Sequence, residues 1–238
     1  MHGSIKIKDN TKPSRRMNKS NGLPGLFSRT EARHSSPRLY TWLAIAVIVL
    51  VVGIVASREF WLRAIGNSLV YQASVGSSDA ILIDNVEINY LLFERAQRLE
   101  SQGLSTLVLV PVFRAGSSNQ PGPVELGFVN VLCDLLRLNN CTTFAAPQRE
   151  PISLNLAKRC AEELRARRIH SVILVTEGFR SRRAAEIYLN ILKPLGITVY
   201  IQPVFGHRTP ENWFRSPNGS QEVVLQFAKL WYYKLAVL

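Results

Sequence analysis

From Asp79 onward, apolar positions form short continuous runs that alternate with longer stretches of helical spacing. "DAILID" (79–84), "STLVLVPVF" (105–113), "CTTFAA" (141–146), "HSVILVTEG" (170–178) and "ITVYIQPVF" (197–205) are brief and bounded by polar or turn residues. Runs of this length, several rich in Ile, Val and Leu, predict strands buried on both faces. Between and after them lie "EINYLLFERAQRLESQG" (87–103), "GPVELGFVNVLCDLLRLNN" (122–140), "ISLNLAKRCAEELRARRI" (152–169), "RSRRAAEIYLNILKPLG" (180–196) and "SQEVVLQFAKLWYYKLAVL" (220–238). In the first of these Ile88, Leu91, Leu92 and Leu99 recur at helical spacing, and Gly103 stands where a helix closes. In the last, Val223, Val224, Phe227, Leu230 and Trp231, with Tyr232 and Tyr233 beside them, predict a core-packing face.

Strands alternating with helices predict an α/β domain: a Rossmann-like, mainly parallel five-stranded sheet with flanking helices and right-handed crossovers. Ligands of such sheets bind beyond the carboxyl ends of the strands. That rule names a rim in advance: Asp84, Asn85 and Glu87, then Arg114, then Arg149 and Glu150, then Thr176, Glu177 and Arg180, then His207 and Arg208.

Ahead of this domain, "YTWLAIAVIVLVVGIVAS" (40–57) carries no charge over 18 residues. At about 1.5 Å per residue this is the short end of a membrane span, and a buried core helix of that length would keep a polar face. One transmembrane helix is therefore expected, as an uncleaved signal anchor, because Ile54 stands where cleavage needs a small residue. Residues 1–39, rich in Ser, Asn, Gly and Pro without apolar period, predict a disordered tail, and 58–77 a membrane-proximal linker before the α/β domain of 78–238.

Charge then orients the span. The chain carries +12 overall, but nine Lys/Arg against Asp9 and Glu31 lie within residues 1–39. The basicity is mostly that of the tail, which places the N-terminus in the cytoplasm and the main domain outside. A nucleic-acid role is not expected, since the tail lacks aromatics suited to stacking. Cys133, Cys141 and Cys160 have no metal-ligand spacing, so no metal is expected. Three small buried residues are the default, with a Cys133–Cys141 pair as the alternative in an oxidising compartment.

The stretch "VTEGFRSRRAAEIY" (175–188) sets three arginines at the start of a helix, where the dipole already contributes about +0.5 charge. Either they are solvated or paired on the surface, or they face an anion. Arg182 reads as solvent-exposed, while Arg183 has Glu186 and Glu177 within reach as ordinary partners. In "EPISLNLAKRC", Ser153 is a natural helix N-cap and Glu150 adds favourable charge before a helix start.

These residues resemble the YdcF-like family, the SanA/ElyC-like envelope proteins: "SSDAILI", "RAQRLESQG" and, most specifically, Val175, Thr176, Phe179, Arg183 and Ala184 in "VTEGFRSRRAAEIY". Arg180 stands where that family has histidine, "IDNVE" replaces a pair of glycines, and Leu156 replaces a threonine, while Glu150, Ser153 and Asn155 remain. The resemblance implies an envelope role at the bacterial inner membrane, with Asp84, Glu150, Ser153, Asn155, Thr176, Glu177, Arg180 and Arg183 as ligand-binding residues. An arginine cannot shuttle protons at neutral pH, so the expectation shifts from acid-base chemistry to anion binding. An anionic envelope lipid or glycan precursor is the expected partner, with no cofactor indicated. The alternative is a non-catalytic binding or scaffolding module.

Overall fold

A computed structural model describes residues 37–114 and 120–237, with side chains from Tyr40 onward. Of the tail expected over residues 1–39, residues 1–36 lie outside them, and 37–39 already belong to a helix. The chain divides into two units between Val49 and Leu50. Helix α1 (Pro37–Ala56) runs through that boundary. Among the described residues no single helix is long and apolar enough to cross a membrane. Only Tyr40–Ala56 taken together with Arg58–Ser68 reaches that length and composition, so the single-helix span expected at 40–57 is not shown.

The second unit is an α/β fold built on a five-stranded, all-parallel sheet: β1 (Ala80–Ile83), β2 (Val108–Phe113), β3 (Cys141–Ala146), β4 (Ser171–Glu177) and β5 (Thr198–Val204). Its strand order is β3-β2-β1-β4-β5. After α2 (Arg58–Ser68), the helices are α3 (Tyr90–Ser101), α4 (Pro123–Leu135), α5 (Ile152–Ala166), α6 (Ser181–Leu192) and α7 (Pro217–Tyr232).

Burial on both faces explains why the strands read as unbroken apolar runs. In β1, Ala80 and Leu82 join a cluster with Leu156, Cys160 and Leu164 of α5 and Ala184 and Tyr188 of α6. Ile81 and Ile83 join the opposite one with Leu92, Phe93 and Leu99 of α3 and Val129 of α4. Each fully buried Leu or Ile contributes roughly 1.5–3 kcal/mol. Gly103, at φ +71°, closes α3 as expected.

The stretch 58–77 is tied into the α/β unit. Trp213 Nε1 donates to Leu62 O, Arg182 N to Leu69 O, Tyr71 N to Ser181 Oγ and Ala73 N to Ile201 O. Leu69 is buried with Phe179, Trp213, Val223 and Leu230. Gly66 admits no side chain, because a Cβ there would stand 2.7 Å from Trp213 Nε1. The core-packing reading of the last helix holds for Val223, Leu230 and Tyr233, whereas Val224 and Trp231 are exposed. Cys133 and Cys141 are joined in a disulfide with their Cα atoms 6.3 Å apart, which replaces the three-thiol default, and Cys160 is free and buried.

Candidate functional site

Strand order reverses between β1 and β4: from β1 the sheet grows to β2 and β3 on one side and to β4 and β5 on the other. The carboxyl ends of these two neighbours form the point where doubly wound sheets leave a crevice. The register pairs Ile83 with Val175, so Asp84, just past the end of β1, stands beside Thr176, which is still in β4 and paired with Pro203 of β5. Thr176 Oγ1 donates to Asp84 Oδ2 at 2.8 Å.

After β4 the chain makes a single 3-10 turn (Gly178–Arg180) and enters α6, which swings Arg180 back over β1. Arg180 Nη2 donates to Asp84 Oδ2 at 3.0 Å, and Nη1 lies 3.8 Å from Glu177 Oε2. Asn89 Nδ2 donates to the other oxygen, Glu177 Oε1, at 3.0 Å. Arg180 and Asp84 are both buried. Burial by itself would lower the Arg180 pKa, but Asp84 and then Glu177 outweigh it and raise it above the ordinary value. The pair is a buried, hydrogen-bonded ion pair whose cation is fixed in the charged form.

Arg183, one turn further along α6, is 6% exposed yet differently placed. Its guanidinium sits over the Tyr233 ring at 5.5 Å, and among the described residues no ion pair or hydrogen bond reaches it. Glu186, expected as a partner, pairs instead with Lys234 at 2.9 Å. Burial first, and the neighbouring Arg180 charge second, bring the Arg183 pKa down to about 10. It remains charged at neutral pH, with Asp84, Tyr233 and Glu177 opposing the shift without touching it as direct ion-pair or hydrogen-bond partners.

Arg182 corrects another expectation. Rather than pointing into solvent, it donates through Nε to Ser68 O at 3.3 Å and through Nη2 to Val70 O at 3.1 Å, with its guanidinium over the Tyr71 ring at 5.4 Å. These carbonyls lie at the C-terminal end of α2, where a cation complements the helix dipole.

Arg180 and Arg183 open onto a cleft of about 540 Å³. Strand-end loops and helix starts contribute Glu87, Glu150, Ser153, Glu177 and Arg208, and α7, with Tyr233 just past its end, forms the facing wall through Asn218, Gln221, Glu222, Gln226 and Lys229. Of the residues expected to bind ligand, Glu150, Ser153, Glu177, Arg180 and Arg183 line this cleft, while Asp84 is buried beside Arg180, Arg183 and Tyr188 and does not line it. Thr176 is buried beneath them. Asn155 turns away, donating to Arg149 O at 3.0 Å.

Ser153 is not the cap of α5. Pro151 holds that position, Glu150 Oε2 accepts from Ile152 N at 3.2 Å, and Ser153 N donates to Tyr233 Oη at 3.2 Å. Among the other rim residues, Asn85 Nδ2 donates to Pro111 O, Arg114 bridges to Pro121, and His207 lies in an adjoining hollow with Asn89 and Phe205. Arg208 Nε lies 2.7 Å from Glu222 Oε2. Burial raises the Glu222 pKa, with Arg208 opposing it.

The α7 wall is what sequence reasoning missed. Asn218, Glu222, Gln226, Lys229 and Tyr233 recur at helical spacing, a polar stripe beside the apolar one, and that spacing was the available signal. Gln226 is 9% exposed and its Oε1 accepts no hydrogen bond. Among the described residues no group of three His, Cys, Asp or Glu is placed to hold a metal ion. The cleft can bind through one guanidinium without a direct carboxylate partner, a row of amides and several carboxylates. Compared with protein-family models, curated proteins and solved structures, the chain gives no match.

Proposed function

We propose that this chain is a single-pass bacterial inner-membrane protein whose extracytoplasmic, YdcF-like domain binds an anionic component of the cell envelope, such as a lipid-linked phosphate. The observation that carries the binding reading is Arg183: a buried cation that, among the described residues, no carboxylate or hydrogen bond contacts directly, open to the cleft. An uncompensated buried charge costs stability, and a ligand anion is the partner that would offset the cost. The uncharged run 40–57 with its basic N-terminal flank supports the anchor and its orientation. The Cys133–Cys141 disulfide suits an oxidising compartment.

A non-catalytic binding role is favoured over turnover by one further observation. The arginine at the position of the family's histidine is held charged by Asp84 and Glu177, so it supplies no proton-transfer group. The test is equilibrium binding of a short-chain alkyl phosphate to the full chain in detergent micelles. Arg183→Gln is expected to weaken it at least tenfold; equal binding by parent and variant overturns the assignment.

A further inference from the structure

We infer that the ligand is an acidic saccharide, a sugar carrying a single phosphate or carboxylate, with its anion on Arg183 and its hydroxyls along α7. This rests on the anion-binding reading above and adds the rest of the molecule to it. The cleft is far larger than one anion requires, since about 540 Å³ falls within the ~300–1,000 Å³ of small-molecule sites.

Its charges set the ligand's chemistry. Four cations and four carboxylates line it, and Glu177 and Glu222 already face Arg180 and Arg208. Lys229 and Arg183 remain on one side of the balance and Glu87 and Glu150 on the other. A polyanion would meet Glu87 and Glu150 as like charges, and a plain apolar molecule would leave Arg183 buried without a partner. What fits is one anionic group joined to a body rich in hydrogen-bond donors. Hydroxyls donate to the two carboxylates and to Gln226 Oε1, the acceptor that is unsatisfied in the wall. Asn218 and Gln221, on the same stripe of α7, add amides that both donate and accept. Tyr232, half-exposed at the end of the cleft, offers an amphipathic ring to the sugar's carbon face.

The experiment measures binding to the full chain in micelles by calorimetry, using glucose 1-phosphate and glucuronate beside their hydroxyl-free counterparts, methyl phosphate and acetate, and neutral glucose. At least one acidic sugar is expected to bind tenfold or more tightly than its counterpart, with glucose at least a hundredfold weaker than that sugar. Gln226→Leu, with Glu87→Ala as a second variant should that one fold poorly, is expected to erase the tenfold increment while methyl phosphate or acetate binds within about twofold of the parent. Arg183→Gln is expected to weaken sugar and counterpart alike. Equal affinity for each acidic sugar and its counterpart overturns the saccharide inference and leaves anion binding standing, as does an increment that persists in both wall variants. Absence of binding by every anion, or binding indifferent to Arg183→Gln, overturns both.

Discussion

Strands β1 and β4 are clamped by an aspartate at each end, and the two clamps are built on different physics. At the N-terminal end Asp79 is exposed, and its Oδ2 accepts the backbone N–H groups of His170 at 2.7 Å and Ser171 at 2.9 Å. At the C-terminal end Asp84 is buried and takes a hydroxyl and a guanidinium. The first clamp satisfies its charge with backbone that any sequence would supply, and water screens the rest. The second brings a charge into the interior, requires Arg180 to balance it, and leaves Arg183 beside that pair as a surplus cation. A fold needs the first arrangement to join two strands. It does not need the second, which is the physical ground for placing function at that end.

The largest effect that would sharpen this contrast is expected from Asp84→Ala. Removing one member of a buried pair leaves Arg180 with only the longer contact to Glu177, at a cost of about 3–5 kcal/mol. Denaturant titration of the full chain in micelles reads that loss, and Asp84→Leu combined with Arg180→Met should recover most of it, because an apolar pair carries no desolvation penalty. An Asp84→Ala protein as stable as the parent would make the two clamps equivalent. Next comes Arg183→Leu, expected to raise stability by about 1 kcal/mol in the absence of ligand while abolishing anion binding. The sign follows from its lowered pKa: the folded state disfavours the charged form, so the penalty is present at neutral pH and fades as pH rises through about 10. Loss of stability in Arg183→Leu would mean that the cation is compensated after all.

The strand-end rule placed Asp84, Thr176 and Arg180 on one rim before any coordinates, because a parallel sheet buried on both faces leaves little freedom in where its strands end. Their pairing was not legible. The register that sets Ile83 against Val175 is a property of the sheet, and no sequence pattern prints it. Arg182 shows the same limit from the other side. An arginine in a helix's first turn reads as solvated, yet its acceptors are carbonyls of residues 68 and 70, more than 100 positions away. The stretch 58–77 read as linker, whereas Leu69 gains its burial from Phe179 and Trp213, contacts that only the fold supplies. On α7 two stripes run side by side, and the apolar one alone carries the core-packing signal. There the polar spacing was present and only its meaning required the fold.

Arg182→Ala tests the join between α2 and the site, with an effect of about 1 kcal/mol from two lost hydrogen bonds, one of them exposed. Hydrogen exchange should rise over residues 66–73 while alkyl phosphate affinity stays within about twofold. A matching loss of affinity would mean that the arginine acts on the cleft as well as on the linker.

The smallest effect is expected at the exposed clamp. The backbone N–H of His170, opposed by burial and aided by Ser171, lowers the Asp79 pKa below the ordinary aspartate value. A carboxylate whose folded pKa is depressed stabilises the protein above its unfolded pKa and loses that contribution as pH falls through the folded one. Asp79→Ala should therefore cost about 1 kcal/mol or less at neutral pH, after solvent screening, and nothing once the parent's own carboxyl is protonated in both states. Stability curves of parent and Asp79→Ala, followed from neutral pH into the acid range, should converge below the usual carboxylate range. Curves that stay parallel would show that the N-terminal clamp is not held by charge, and the contrast between the two ends would then rest on burial alone.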